Sequence, residues 1–238
     1  MIFCIDSGNS RIKWGAYEGS RWLAQGALGH DEAAALGALV DRWPRPERVM
    51  LANVAGPAVG ANIRERLAAW SAVLFEVRSE AQRCGVTNGY ENPAQLGVDR
   101  WCALIGARRL APVPTLVVMA GTATTIDALD GDGVFRGGYI LPGVDLMRRA
   151  LARDTAGLPL AAGRHAIWPR CTDDAIVSGA FEAQAGAIER AYARLEGAGK
   201  RCLLSGGHAD AISPHLAMPH SVAQNLPMVG LLALAEDI

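Results

Sequence analysis

The stretch Asp6-Ser7-Gly8-Asn9-Ser10-Arg11-Ile12-Lys13 decides how this chain is read. It follows a short apolar, β-prone run, Ile2-Phe3-Cys4-Ile5. It leads into a second β-prone run, Ile12 to Tyr17, which ends at the turn signal Glu18-Gly19-Ser20. Two such runs around a polar, glycine-bearing turn predict a β-hairpin. The residue types at the turn suit an anion. Gly8 permits a tight turn, with φ > 0 if needed, and lets backbone N–H groups come close. Asn9 and Ser10 add short-reach donors, and Lys13 adds positive charge. Asp6, at the strand end, suits a hydrated divalent cation. The combination reads as a phosphate cradle on a hairpin, unlike the strand-to-helix loop that ends in Gly-Lys-Ser/Thr. D-x-G-N is also ordinary turn chemistry, so the reading rests on the pattern occurring twice.

The second occurrence lies in Thr115-Leu116-Val117-Val118-Met119-Ala120-Gly121-Thr122-Ala123-Thr124-Thr125-Ile126-Asp127-Ala128-Leu129. Sliding residues 2–29 forward by 113 positions without a gap puts Gly8 on Gly121, Asn9 on Thr122 and Asp6 on Met119. Glu18-Gly19-Ser20 then falls on Gly131-Asp132-Gly133, and Trp22 on Phe135. Two hairpins with one spacing indicate an internal duplication. Two phosphate-type turns in related halves predict a cleft between the halves, with nucleotide phosphates between the turns.

Composition is compatible with this. The chain has 238 residues, 50% of them hydrophobic, enough for one large or two small globular domains. Net charge is −1 and no basic stripe is present, so nucleic acid is not an implied partner. No apolar run reaches membrane-spanning length. The chain enters its first strand without a charged leader, so no signal peptide is expected. The odd, scattered set Cys4, Cys84, Cys102, Cys171 and Cys202 contains no C-x-x-C, which fits reduced thiols in a cytoplasmic protein and not a zinc site.

In order, the chain predicts a third strand at Trp22–Leu28, a helix at Glu32–Trp43, a buried strand at Arg48–Val54, a helix over 57–70 and a strand at Ala72–Val77. Strands followed by alternating helix and strand define an α/β domain with a mixed sheet. Residues 85–100 read as a loop, and Trp101–Leu110 as a helix with Asp99 near its N-terminus, where a carboxylate is favoured. Ala111-Pro112-Val113-Pro114 is the best boundary, because neither a helix nor a central strand runs through both prolines. It divides the chain into domains 1–113 and 114–238. Helices are expected at Gly143–Ala152, Asp173–Leu195 and Val229–Glu236, with a broken loop over 154–170. Arg201–Ser205 reads as a strand ending in Gly206-Gly207-His208, a strand-end turn where backbone can also approach a flat ligand. His30, His165, His208, His215 and His220 show no metal or triad spacing and are read as incidental.

With these residues in view, the chain resembles the type III pantothenate kinases, a Baf-type branch of the acetate and sugar kinase, chaperone and actin superfamily. DSGNSRIK at 6–13 is similar to the family's D-x-G-N-[ST]-x-x-K phosphate motif. YENPAQLGVDR at 90–100 is similar to its Y-x-N-P…L-G-x-D-R substrate motif, and GTATTID at 121–127 to its second phosphate motif. TAGLP at 155–159 and TDDAIVSG at 172–179 also match. The resemblance implies an α/β fold of two tandem ribonuclease-H-like, actin-like ATPase domains. It also implies a homodimer and ATP-dependent phosphorylation of pantothenate, the first step towards coenzyme A. Carried over residue by residue, it puts ATP on Asp6, Ser7, Gly8, Asn9, Ser10, Arg11, Ile12, Lys13 and Thr122. It puts pantothenate on Tyr90, Gly97, Val98, Asp99, Arg100 and Thr172, and makes Asp99 the proton acceptor. An in-line attack by a primary hydroxyl calls for such an Asp, although an Asp there is also a helix cap. Mg2+ is expected on Asp6 through water.

One position departs from the family. Many members read D-x-G-T in the second motif, where the Asp holds an activating monovalent cation, K+ or NH4+. Here that position is Met119, and a thioether does not replace a carboxylate for a hard cation. Weak or absent cation dependence is expected. Two other functions fit the superfamily: a non-catalytic regulatory factor, and a phosphatase. The phosphatase would not need the Tyr90-to-Arg100 motif.

Overall fold

The computed structural model describes residues 1–160 and 162–237. They form two compact units, Met1–Pro112 with the stretch from Asn225 on, and Val113–Gln224.

The first unit opens with the hairpin strands β1 (Ile2–Ser7) and β2 (Ile12–Glu18), followed by β3 (Arg21–Leu28). Helix α1 (Ala35–Arg42), β4 (Arg48–Asn53), α2 (Pro57–Arg66) and β5 (Leu74–Glu76) follow. The sheet order is β3-β2-β1-β4-β5, with β1 antiparallel to β2 and parallel to β4. The predicted helix over 57–70 is α2 followed by a separate 3-10 segment, Ala68–Val73. Phe3, Ile5, Ile12, Val49, Leu51 and Trp70 belong to the core of this sheet and its helices. The sequence-predicted loop 85–100 contains more order than expected. A two-strand pair, β6 (Gln82–Arg83) and β7 (Val86–Asn88), starts within or just before it, a 3-10 turn spans Pro93–Gln95, and α3 begins early, at Val98, and runs to Leu110.

The second unit repeats the plan. β8 (Thr115–Ala120), β9 (Ala123–Leu129) and β10 (Val134–Pro142) form the antiparallel part. Helices α4 (Val144–Asp154) and α5 (Thr172–Arg194) precede β11 (Arg201–Ser205), short α6 (Ala209–Ile212) and β12 (Ser221–Val222). Within this unit the strand order is β12-β11-β8-β9-β10. That is the order of the first unit, with β8 in the place of β1 and β11 in the place of β4. β1 and β8 are offset by 113 residues along their whole length, and Asp6 and Met119 occupy the same rung. The ungapped alignment fails between them. The first hairpin turn is residues 8–11, whereas the second is only Gly121-Thr122. The two residues lost there return in the next turn, 130–133 against 19–20.

The last helix, α7 (Leu226–Glu236), corrects the sequence-based boundary. It lies in the first unit, packed on α3, β1 and β4, not in the second. A helix apolar on every side needs cover on every side, and α3 on one flank with strands on the other supplies it. The contact is close. A Cβ on Gly230 would fall 1.8 Å from the Cys102 carbonyl oxygen, and one on Gly106 would fall 2.4 Å from that of Leu226. The breadth of the apolar arc on α3 is therefore used inside the chain: Trp101 through Ala107 are buried. Among the described residues, no helix is long and apolar enough to cross a membrane.

Candidate active site

The β1–β2 turn is closed by Gly8, whose N–H donates to the Arg11 carbonyl at 3.1 Å. This differs from the expected role. The Gly8 N–H is used within the turn, and its φ is not among the positive ones. A Cβ at position 8 would make only an ordinary contact, 3.6 Å from Arg11 O. The glycine thus keeps open space above the turn, and its own backbone does not require it. The Asn9 N–H has no partner among the described residues. Asn9, Ser10 and Arg11 are exposed, whereas the Ser7 and Ile12 side chains are fully buried. Ile12 lies in the core, so any contact it makes with a ligand comes from backbone.

Asp6 pairs with Lys13 across the hairpin, and side chains of directly opposed residues share a face. Asp6 is 7% exposed. Burial pushes its carboxyl up to about 6; Lys13 pulls it down and Asp99 pushes it up further. The α3 N-terminus thus delivers Asp99 to the same end of the unit as the turn. Burial also raises the Asp99 carboxyl, against hydrogen bonding and charge from Arg100. The N-cap of α3 is Gly97, which makes no side-chain cap, and Asp99, in the first turn, plays a lesser structural role: its Oδ1 accepts the Arg100 backbone N–H at 2.8 Å. That role leaves the carboxylate open to another group, because no side chain among the described residues hydrogen-bonds to it. Gly97 has an unstrained backbone, φ −55° and ψ 132°. A Cβ there would sit 2.7 Å from Asp99 Oδ1, so the glycine of L-G-x-D-R makes room for the carboxylate to fold back on the helix end.

Arg100 is not a surface residue; it is 4% exposed, and its Nη1 donates to the Tyr90 hydroxyl at 2.9 Å. Tyr90 is held by a residue that sequence reasoning missed. Asn88 Oδ1 accepts the Tyr90 N–H at 3.1 Å, while its Nδ2 donates to the carbonyls of Glu80 and Pro93. Asn92 caps the 3-10 turn through the Ala94 N–H. Asn-Gly and Asn-Pro were the available signals. His30 was also missed: its Nε2 lies 2.9 Å from the Gly8 carbonyl.

Among the described residues no group of three His, Cys, Asp or Glu side chains forms a metal cage. A lone buried acid at the turn fits the magnesium mode, in which one carboxylate holds the hydrated ion and phosphate oxygens complete its shell.

Thr122 and Thr172 lie in the second unit and are exposed. Thr122 caps its turn through its carbonyl, which accepts the Gly143 N–H at 2.9 Å. Thr172 is the first residue of α5. Gly206, φ +99°, has a reason internal to this unit: a Cβ there would lie 2.3 Å from the Ala120 carbonyl. His208 is likewise not incidental, since its Nε2 is 3.1 Å from Asp145 Oδ2.

A doubled five-strand sheet with a polar turn closing the first hairpin defines the class of actin-like ATPases and sugar kinases. Two solved structures share the fold. One is a protein of Campylobacter jejuni described as a Baf-family transcriptional activator, with TM-score 0.66, 18% identity and 98% of both chains covered. The other is a protein of Sinorhizobium meliloti described as a 2-dehydro-3-deoxygalactonokinase, with TM-score 0.60, 17% identity, and 99% of this chain and 98% of that one covered. Within this class the chain belongs to the type III pantothenate kinase family, whose profile matches residues 2–194. The Dechloromonas aromatica (strain RCB) protein described as type III pantothenate kinase is 61% identical over 235 residues, 99% of each chain.

Proposed function

We propose that this chain transfers the γ-phosphoryl group of ATP to the primary hydroxyl of pantothenate, with Asp99 as proton acceptor. The carrying observation is that Asp99, at the α3 N-terminus, lies in the same unit as the Asp6–Lys13 turn and near enough for its charge to raise the Asp6 carboxyl. The turn residues Asp6–Lys13 bind the phosphates of ATP, chiefly through the Asn9 N–H, the exposed side chains of Asn9 and Ser10, and the half-buried Lys13. Thr122 has the corresponding phosphate role in the second unit. Magnesium held through water by Asp6 neutralises phosphate charge when bound. Tyr90, Gly97, Val98, Arg100 and Thr172 bind pantothenate, the Arg100 guanidinium serving its carboxylate.

The hydroxyl proton passes to Asp99 as the oxygen bonds to the γ-phosphorus. The bond from that phosphorus to the bridging oxygen breaks, and its electron pair leaves with ADP. A carboxyl raised by burial is a better base than an exposed one, and positioning supplies most of the remainder.

We also assign a homodimer. The support is the very exposed Ile167 and Trp168, 82% and 87%, and an open apolar groove on the same unit between α4 and α5, including Leu146, Leu151 and Ile176. Sedimentation showing an active monomer would refute it.

ATP consumption measured with and without pantothenate tests the reaction. Pantothenate-dependent turnover supports it, and turnover indifferent to pantothenate would indicate a phosphatase. Asp99→Asn is expected to lower kcat roughly 10²–10⁴-fold without unfolding the chain. A near-normal rate would remove Asp99 from its role.

A further inference from the structure

His30 stands outside every motif, yet the topology of the first sheet carries it to the phosphate turn. β3 lies beside β2, and Leu28 pairs with Ile12. The chain leaving β3 at Gly29-His30 therefore emerges next to residues 8–11. There it makes a tight turn before α1. The Glu32 N–H donates to the Gly29 carbonyl at 3.1 Å, and Glu32 Oε2 accepts the Gly29 N–H at 2.8 Å. The ring is thus presented from a fixed base. Its Nε2 lies 2.9 Å from the Gly8 carbonyl oxygen. A carbonyl only accepts, so Nε2 carries the hydrogen and donates. Nδ1 is buried and has no partner among the described residues, so Nε2 makes the one polar contact of the ring.

The contact matters because of what Gly8 is joined to. The peptide group is planar and trans, so the Gly8 C=O and the Asn9 N–H point in opposite directions. Holding the carbonyl fixes the N–H on the far side, and that N–H has no partner among the described residues. A second tie, Gly8 N–H to Arg11 O, closes the ends of the turn. Closing the ends does not by itself fix the Gly8–Asn9 peptide; holding its carbonyl does.

We propose that His30 is a positioning residue for nucleotide binding: by donating to the Gly8 carbonyl it holds the Asn9 N–H in the orientation that receives a phosphate oxygen of ATP. The proposal rests on the reading of Asp6–Lys13 as the phosphate turn. It gives a histidine that never touches the ligand a selective effect on one of two substrates.

The test compares His30→Phe, which keeps a ring and removes the donor, with His30→Gln, whose amide restores a donor at similar reach. Steady-state kinetics are measured against magnesium-ATP and against pantothenate, with thermal melts alongside. His30→Phe is expected to raise KM for ATP by roughly five- to tenfold, the scale of one hydrogen bond, with KM for pantothenate unchanged. His30→Gln is expected to lie within about twofold of the parent. Equal ATP KM values for Phe and Gln variants, or a parallel rise in both substrates' KM, would overturn the proposal. If His30→Phe unfolds the chain, the Gln variant decides alone: a folded His30→Gln with a large rise in the ATP KM counts against donation. Lys13→Ala separates the two levels. If it leaves ATP affinity intact, the turn is not the phosphate site and both readings fall. If it weakens ATP binding while His30→Phe does not, only the His30 role falls.

Discussion

At the scale of single residues, the candidate site holds carboxylates where burial opposes their charge. Asp6 is held where burial opposes its charge, with its carboxyl raised from 3.8 to about 6. Between those values the folded state binds more protons than the unfolded one. Stability therefore falls as pH rises through this window, and the loss is complete above about 6. Asp6→Asn removes the ionisation and keeps the shape of the protonated acid. The ligand-free variant is expected to melt above the parent at pH 8, by at most about 3 kcal/mol of stability. The difference should shrink towards pH 4.5, while kinase activity is lost. A variant less stable than the parent at pH 8 would show that the charge is compensated in the free protein. Gly97 gives the complementary case. The atom a Cβ would strike is the tip of the Asp99 side chain, not backbone. Gly97→Ala should therefore change stability by less than about 1 kcal/mol, yet lower kcat by displacing the carboxylate. A normal kcat would mean that Asp99 works equally well off the helix end.

At the scale of elements, the α3–α7 pair fixes where Asp99 points. Gly230 meets the Cys102 carbonyl so closely that no side-chain movement can admit a methyl group; the helices must separate. Gly230→Ala is expected to cost roughly 3 kcal/mol in denaturant unfolding. Gly37→Ala in α1 should be neutral or stabilising, because nothing lies within 4 Å of the added atom. Equal effects would mean that helix propensity and not helix contact governs both. These elements also mark the limit of sequence reading. The hairpins, the main helices and the Asp99 position were legible because periodicity and turn residues are local signals. The docking of α7 was not, since an apolar helix does not state which domain covers it. The broad apolar surface of α3 likewise does not name α7 as the element that covers it. Asn88, marked only by its Asn-Gly turn dipeptide, and His30, marked by no motif, were missed for a related reason. Their work is done on backbone atoms, Asn88 on Tyr90, Glu80 and Pro93 and His30 on Gly8, and a backbone acceptor leaves no mark on the sequence.

At the scale of the whole molecule, the two units are one plan used twice, and the differences between the copies carry the chemistry. The first copy keeps a four-residue turn with Asp6 facing Lys13. The second has a two-residue turn, and the same rung holds Met119 facing Thr125. The charged pair has become a thioether and a hydroxyl. Thr125 Oγ1 is buried and has no partner among the described residues, which is unusual for an atom that readily donates. A carboxylate at position 119 would lie on its face and could accept from it. The second copy thus sets a buried hydroxyl opposite a thioether where the first sets an amine opposite an acid. Potassium and ammonium need oxygen ligands, and an anionic one also cancels their charge. Met119 supplies neither, so activity should depend weakly or not at all on potassium. The measurement is turnover against potassium chloride, with tetramethylammonium chloride holding ionic strength constant. Met119→Asp should introduce or steepen saturable potassium activation, and Met119→Asp with Thr125→Val should blunt it if the hydroxyl takes part. Steep potassium activation of the parent protein would show that backbone carbonyls and nucleotide oxygens hold the cation without a carboxylate. The replacement at 119 would then be of no consequence to the reaction.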